Sequence, residues 1–597
     1  MTRTTGPGLF QPHTLALAIA LGISAPAQAI NFNIGEIEGQ FDSSLSIGAS
    51  WSMRSPDRDL IGPNNGGQGQ AQTGDDGRLN FKKGETFSKI FKGIHDLELK
   101  YGDTGAFVRG KYWYDFELKD ESRLFKDIDD SNRKEGAKSS GAEILDAFLY
   151  HNYAIGDLPG TVRVGKQVVS WGESTFIGNS INAINPIDVA AFRRPGAEIK
   201  EGLIPVNMLY LSQSLTDRLS MEAFYQLEWD QTILDNCGTF FSTADVAADG
   251  CDNGYHIGSP AIAPLQPIAA AFGQGFRVDS EGVILPRAGD RDARDSGQWG
   301  LALRWLGDET EYGAYFINYH SRTPIVSTQN AGLATLAALP GIIGTANGIA
   351  PGSGAGLAQS VMLGNGRYYL EYPEDIRLYG LSFSTTLPTG TAWAGEVSYR
   401  PNLPLQINTT DMTLSLLNPI APGTAPVAAG PGQDNVGYRR KEVTQVQTTF
   451  THFFDQVMGA GRFTLVGEIG MAHVGGLESR EDLRYGRDSL FGAYGFRGDT
   501  HGFVTSTSWG YRVRGIWEYS NVFAGVNLRP NVSWSHDVDG YGPNGLFNEG
   551  AKAVSFGVDA DYRNTYTASL SYTDFFGGKY NTAVDRDFLA LSFGVSF

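Results

Sequence analysis

The chain closes on FLALSFGVSF, residues 588–597. Leu589, Leu591, Phe593, Val595 and Phe597 share one parity, and Ala590, Ser592, Gly594 and Ser596 the other. A period of two with one apolar side is the pattern of a half-buried strand. Terminal residues of a soluble domain fray and are polar, so this ending predicts a strand that must be paired. The pattern recurs near the start, where Phe41, Leu45, Ile47, Ala49, Trp51 and Met53 alternate with Asp42, Ser44, Ser46, Ser50 and Arg54. In 105–119, Val108, Tyr112, Tyr114, Phe116 and Leu118 oppose Arg109, Lys111, Asp115 and Glu117. In 219–230, Met221, Ala223, Tyr225, Leu227 and Trp229 oppose Glu222, Gln226, Glu228 and Asp230. In 510–520, Tyr511, Val513, Trp517 and Tyr519 oppose Arg512, Arg514, Glu518 and Ser520. Aromatic residues at so many strand ends match the interfacial girdles of a membrane barrel.

Segments of this kind number about eighteen, with 16–18 as the range set by bacterial barrels. Their connections alternate between tight turns, such as Gly102-Asp103-Thr104, Thr216-Asp217-Arg218 and Pro388-Thr389-Gly390, and long linkers. The expected fold is therefore all-β: a transmembrane antiparallel up-and-down β-barrel with short periplasmic turns and long extracellular loops. One barrel domain is expected over 30–597, with both termini in the periplasm. The last strand would pair with the one near 40–54, because hydrocarbon cannot satisfy an open sheet edge.

Composition agrees with that class. Among 597 residues there are 76 glycines, 12% aromatic residues and only 19% charged ones. A mean hydropathy of -0.22 excludes a bundle of membrane helices but not a barrel, whose lipid face is hidden in alternation. Residues 1–29 read as a cleaved signal peptide, with Arg3, the apolar LALAIALGI at 15–23 and small residues at Ala27-Gln28-Ala29. A net charge of -18 argues against a nucleic-acid partner. The two cysteines, Cys237 and Cys251, lie close together in an irregular stretch and are expected to form a local loop disulfide rather than a metal site.

Several separated motifs carry a family likeness: INFNIGEIEGQFDSSLSIGASW at 30–51, DLIGPNNGG at 59–67, RVGKQVVSWGES at 163–174 and NPIDVAAFRRPGAEIKEGLIP at 185–205. With the aromatic finish they resemble the domain-of-unknown-function family 1302 of Gram-negative outer-membrane proteins, over essentially the whole mature chain. The resemblance implies an outer-membrane location amid lipid and lipopolysaccharide. It also implies a cargo of lipid-like or steroid-like compounds, a periplasmic partner protein and an inner-membrane exporter. It attaches no catalytic residues to the motifs.

Function is sought in the linkers and the polar parity. The linker near 172–203 carries Trp171 at its edge, then Glu173, Asn185, Asp188, Arg193, Arg194, Lys200 and Glu201. Its Pro and Gly residues forbid a long helix, and it is too rich in Ile, Val and Phe for disorder. It reads as an inward-folded constriction with Arg193, Arg194 and Lys200 facing Glu222 and Glu228 across the lumen; the competing reading is a packed external loop whose charges pair with one another. The inward wall is expected to carry Arg109, Lys111, Asp115, Glu117, Glu222, Glu228, Asp230, Arg512, Arg514 and Glu518. Linkers near 231–296, 323–371 and 403–440 contain long apolar stretches, such as AGLATLAALPGIIGTANGIA at 331–350. They would form either a vestibule for apolar solutes or packed caps over the mouth.

Enzymatic constellations are missing: there is no Gly-x-Ser-x-Gly elbow and no phosphate-binding Gly-rich loop, and the histidines have no metal spacing. No cofactor and no metal are expected. The Asp537-Val538-Asp539-Gly540 segment with Asn544 and Glu549 offers hard oxygens without calcium-loop spacing. The leading functional reading is a non-catalytic outer-membrane channel for hydrophobic or amphipathic small molecules. Its alternative is a plugged barrel that anchors an envelope export or lipid-handling complex.

Overall fold

The computed structural model describes residues 30–492 and 499–597; the signal segment expected at 1–29 lies outside them. Nineteen strands join one antiparallel sheet, and eighteen of them form a closed ring, the nineteenth being the short Ile30–Ile34. The ring runs β1 (Ile37–Ser52), β2 (Thr86–Tyr101), β3 (Thr104–Asp115), β4 (Ser140–Ile155), β5 (Leu158–Gln167), β6 (Val206–Ser214), β7 (Leu219–Gln226), β8 (Trp299–Leu306) and β9 (Thr310–Tyr319). It continues through β10 (Ile376–Thr386), β11 (Ala392–Gln406), β12 (Tyr438–Asp455), β13 (Arg462–Gly475), β14 (Thr507–Phe523), β15 (Val526–Asp539), β16 (Lys552–Tyr562), β17 (Tyr566–Phe576) and β18 (Phe588–Ser596).

The seam is β1 against β18, in register from Ser44 opposite Ser596 to Ser52 opposite Phe588. Ser43 and Phe597 exchange backbone hydrogen bonds of 2.6 and 2.8 Å, so pairing reaches the last residue. Past that point the edge of β1 is occupied by Ile30–Ile34, which folds back through Gly35 at φ 64 and pairs Ile30 with Phe41. A glycine at positive φ suits the tight hairpin turn that follows strand twist. The terminal alternation is thus explained: Phe593, half-exposed, faces outward beside Ile47, while Ser592 is buried inward.

Two aromatic belts mark the outer surface. On the loop side, Trp299, Phe316, Tyr379 and Tyr399 touch in sequence across β8 to β11. On the turn side stand Trp305 with Tyr312, Phe383 with Trp393 and Phe450, and Phe454 with Phe463 and Trp517. Trp299 and Trp305 lie on one strand, about 20 Å apart at strand rise, with Leu301 and Leu303 exposed between them. That spacing is close to the apolar band of a membrane barrel, about 25 Å tall.

Two expected strand ends differ. The strand expected at 105–119 stops at Asp115, whose Oδ1 accepts the N–H groups of Glu117 and Leu118 and caps a short helix at Phe116–Asp120. Glu117 therefore leaves the wall and pairs with Lys89 and Arg123 at 2.5 and 2.8 Å. The strand expected at 219–230 stops at Gln226, so Glu228 and Asp230 belong to the rim; they meet Asn207 at 2.5 Å and Lys134 at 3.7 Å.

The apolar linkers pack on one another. Leu333–Ile349 and Gly354–Asn365 are antiparallel helices despite Pro340. Leu339, Ile342, Ala346, Leu357 and Val361 join Val246, Tyr255, Ile268, Phe276, Val283 and Leu416 in one buried cluster. One side of the segment 331–350 thus belongs to the core of a cap, while Leu333 and Ile349 stay exposed. No helix among the described residues is long and apolar enough to cross a membrane.

Candidate functional site

The linker between β5 and β6, residues 168–205, enters the barrel and crosses it. It forms two short helices only, α1 (Val189–Arg193) and α2 (Ile199–Gly202), as its Pro and Gly content dictates. Asn185 staples its base, accepting from the Val169 N–H at 3.0 Å and donating to the carbonyl oxygens of Gln167 and Ile204.

The outbound limb, 169–184, meets the far wall. Val169, Trp171, Ile181 and Ile184 are buried with Phe224, Tyr315, Ile317, Ile376 and Leu378, which point inward from β7, β9 and β10. The Trp171 indole donates to Glu222 at 2.7 Å, and Glu222 also accepts from Tyr210 and Arg304 at 3.0 and 3.2 Å. On β13, Glu468 receives three consecutive backbone N–H groups, those of Thr175, Phe176 and Ile177, at 2.9, 2.7 and 2.6 Å. Consecutive amides converging on an anion form a nest, here closed on a wall carboxylate that is 1% exposed. On β11, Glu396 accepts from the N–H groups of Glu173 and Ile181. Arg400 donates to the carbonyl oxygens of Asn179 and Ser180, and Gln445 and Gln447 to those of Gly178 and Ile177. Burial raises the Glu173 carboxyl above its ordinary range.

The return limb, 185–205, lies against the seam side. A Cβ on Gly48 of β1 would stand 2.8 Å from that of Pro195, and one on Gly196 only 2.7 Å from the Ser592 hydroxyl of β18. Ser592 of the terminal strand and Gly48 of its seam partner are thus small where the loop rests on them. Lys92 of β2 bridges Glu201 and the Gly196 carbonyl oxygen at 2.6 and 2.7 Å. Lys111 of β3 pairs with Asp188 and Glu143 at 3.1 and 2.8 Å and donates to the Glu201 carbonyl oxygen. Both lysines are nearly fully buried, which demands such partners.

The basic residues of the loop do not reach Glu222 or Glu228. Arg193 lies 3.6 Å from Asp235 and over the Phe241 ring. Arg194 stacks on Trp113 and donates to the Gly136 carbonyl oxygen, and Lys200 pairs with Glu198. Wall carboxylates instead receive loop amides, and the wall lysines Lys92 and Lys111 pair with the loop acids Glu201 and Asp188. Around Arg193 and Arg194 opens a cavity of about 60 Å³ lined by Phe87, Trp113, Phe240, Phe241 and Asp235. Phe87 and Phe240 stack at 4.1 Å.

Elsewhere on the wall, Arg109 forms a fork to Asp96 at 2.7 Å and reaches Asp146 at 3.3 Å. Arg512 pairs with Asp537 at 2.6 Å and Glu518 with Arg462 at 2.9 Å. Arg514 keeps a buried Nε without a hydrogen-bond partner among the described residues. Cys237 and Cys251 are joined in a disulfide. The anchors that the sequence analysis missed are Lys92, Glu396, Arg400, Gln445, Gln447 and Glu468. A signal was present for two of them, since Glu396 in AWAGEVSY and Glu468 in TLVGEIGM are single acids set among small and apolar residues on strand segments.

A closed eighteen-stranded barrel with an apolar outer belt and a loop drawn through its lumen defines the class: a β-barrel of the outer-membrane, porin-like type. The family model described as "Protein of unknown function (DUF1302)" matches residues 11–597, and the chain belongs to that family. No curated protein matches the sequence. Solved structures with similarity include OccAB3 of Acinetobacter baumannii, at 9% identity and a TM-score of 0.40 over 93% of this chain and 99% of that one. OccK1 (OpdK) of Pseudomonas aeruginosa has 9% identity and a TM-score of 0.37, covering 93% and 98%. The outer membrane channel DcaP of Acinetobacter baumannii has 9% identity and a TM-score of 0.34, covering 95% and 99%.

Proposed function

We propose that this protein is an outer-membrane channel for amphipathic small molecules, lipid-like or steroid-like in body, gated by the 168–205 loop and catalysing no reaction. The observation that carries the reading is the aromatic cavity at the loop, where Phe87, Trp113, Phe240 and Phe241 meet the guanidinium groups of Arg193 and Arg194. Aromatic faces offer a surface for an apolar body, and Arg193, with its side chain 44% exposed, offers a cation to a head group. The cavity as it stands is smaller than such a solute, so passage requires the loop to move. Around 173–178 its attachments are wall carboxylates and backbone amides, and polar contacts of this kind reform after exchange with water; the apolar packing of Trp171, Ile181 and Ile184 would hold the rest of the limb.

The test is reconstitution of the full chain in liposomes with a fluorescent long-chain carboxylate. Saturable entry that Arg193→Ala and Phe241→Ala each weaken supports the reading. Entry at the rate of empty liposomes, with no quenching of tryptophan fluorescence by the probe, refutes it.

A second reading, a plugged barrel that anchors a periplasmic partner, is favoured by the 30–41 hairpin. It extends the seam beyond the final residue, and Ile30, Ile34 and Ile37 are exposed on it. Photo-crosslinking from position 34 in cells distinguishes the two: a channel acting alone gives no crosslinked product.

A further inference from the structure

Outside the lumen, the linker after β1 and the linker after β7 meet at Asp75, Asp76 and Asp245. All three side chains are buried, at 0%, 6% and 1% exposure. One carboxylate oxygen from each lies within 4.8 Å of the other two. Glu281, 3% exposed, adjoins them through Asn65, which donates to both Asp75 and Glu281. Among the described residues, the ammonium that reaches the group is Lys126, at 2.9 Å from Asp76 and 2.5 Å from Glu281, and the His256 imidazole lies 3.8 Å from Glu281. Four buried carboxylates therefore share one ammonium, and burial of unneutralised charge is costly.

The unused atoms show where neutralisation is lacking. Asp75 Oδ2 is occupied by the Gly62 N–H and Asn65, and Asp245 Oδ2 by the Asp76 N–H. The other oxygen of each, Asp75 Oδ1 and Asp245 Oδ1, is buried with no hydrogen-bond partner. Buried polar atoms are otherwise paired, so two orphan carboxylate oxygens on neighbouring loops ask for a ligand that brings positive charge without needing an acceptor.

We propose that Asp75, Asp76 and Asp245 form a binding site for a divalent cation of the calcium class, which clasps the 53–85 linker to the 227–298 linker at the loop end of the barrel. The donors are hard oxygens, the preference of calcium and magnesium and not of zinc or copper. A spacing within 4.8 Å fits inside the roughly 5 Å that separates opposite ligands at calcium–oxygen distances of 2.3–2.6 Å. Lys126 occupies part of the same field and acts as a built-in competitor. The site joins chain segments about 170 residues apart, so occupancy would order the cap, whose 227–298 linker also meets the lumen loop through Asp235 and Phe241. The site is separate from the Asp537 to Glu549 segment.

The experiment is titration of calcium chloride into the full chain, refolded in detergent free of lipopolysaccharide and freed of metal with EGTA. The expected result is one calcium per chain, bound at least tenfold more weakly by Asp245→Asn and Asp75→Asn, and equally well by Asp539→Asn. Lys126→Gln keeps every carboxylate and removes the competitor, so it should bind calcium severalfold more tightly. This variant keeps the idea testable if an aspartate variant fails to fold. Absence of calcium binding by the unmutated chain, retention of full affinity by Asp245→Asn, or unchanged or weaker binding by Lys126→Gln overturns the proposal.

Discussion

Replacing Glu468 by Gln removes the charge that receives three loop amides while preserving shape. The carboxylate accepts Phe176 and Ile177 on Oε2 and Thr175 and the Thr449 hydroxyl on Oε1. An amide can keep one of those oxygens but turns N–H donors toward the other pair. Hydrogen bonds to charged groups contribute about 1.5–3 kcal/mol each. Keeping two neutral bonds and losing the rest should weaken docking of 173–178 by about 2–4 kcal/mol, or roughly 30- to 900-fold in the ratio of docked to undocked loop. The barrel ladder is untouched, so gel mobility before and after boiling should match that of the unmutated protein. In planar bilayers the variant should open far more often than the parent, with a larger mean conductance. Equal open probability in the two proteins, with equal conductance, would show that these bonds do not hold the loop.

Four further outcomes follow. Gly48→Val places a side chain where Pro195 now rests, 2.8 Å away; it should displace the return limb and raise conductance, and an unchanged current would argue against that contact. Phe593→Arg on the lipid face should cost about 2–4 kcal/mol if it sits at the bilayer midplane, read as a lower unfolding midpoint in urea with lipid vesicles; no loss would place that residue away from hydrocarbon. Reducing Cys237–Cys251, separated by 14 residues, should release about 3 kcal/mol of loop constraint, seen as faster proteolysis within 231–296 while the barrel stays intact; resistance of that loop to protease after reduction would count against the estimate. The pH response of the cap has a definite sign. Burial raises the carboxyls of Asp75 and Asp245, and that of Asp76 to about 6. A carboxyl raised on folding stabilises the fold below its unfolded value and loses that advantage as pH rises through its folded value. With EGTA present, hydrogen exchange at 59–80 should therefore slow as pH falls from 7.5 to 5.5, after correction for intrinsic exchange rates; the opposite trend would refute the assignment.

The barrel was legible because alternation is a two-sided constraint. Slipping Leu589 to Val595 by one residue would put Ser592 and Gly594 in lipid, and Ser592 also had to be small, since Gly196 of the loop rests on it. The inserted loop was legible from its mixed, punctuated composition. Its partners were not. The wall near Leu378-Tyr379-Gly380-Leu381 carries no charge on either parity, and only the structure reveals that Tyr379 and Leu381 face lipid while Leu378 and Gly380 pack toward Ile181. The expectation that loop cations meet wall acids failed because backbone amides, invisible in a sequence pattern, supply the positive ends instead. Glu117, Glu228 and Asp230 were misplaced because strand alternation continues into the first residues beyond the membrane, where caps and rim contacts take over.

The placement of the loop across the lumen can be probed by a double variant, Ser180→Cys on the loop with Ser398→Cys on β11, whose hydroxyl oxygens the structure sets 3.2 Å apart. Mild oxidation of the folded protein in detergent, followed by mass spectrometry of its peptides, should join positions 180 and 398 in most molecules and lock the conductance low until a reductant is added. If both thiols instead react fully with a maleimide and no joined peptide forms, the loop does not lie where this structure puts it.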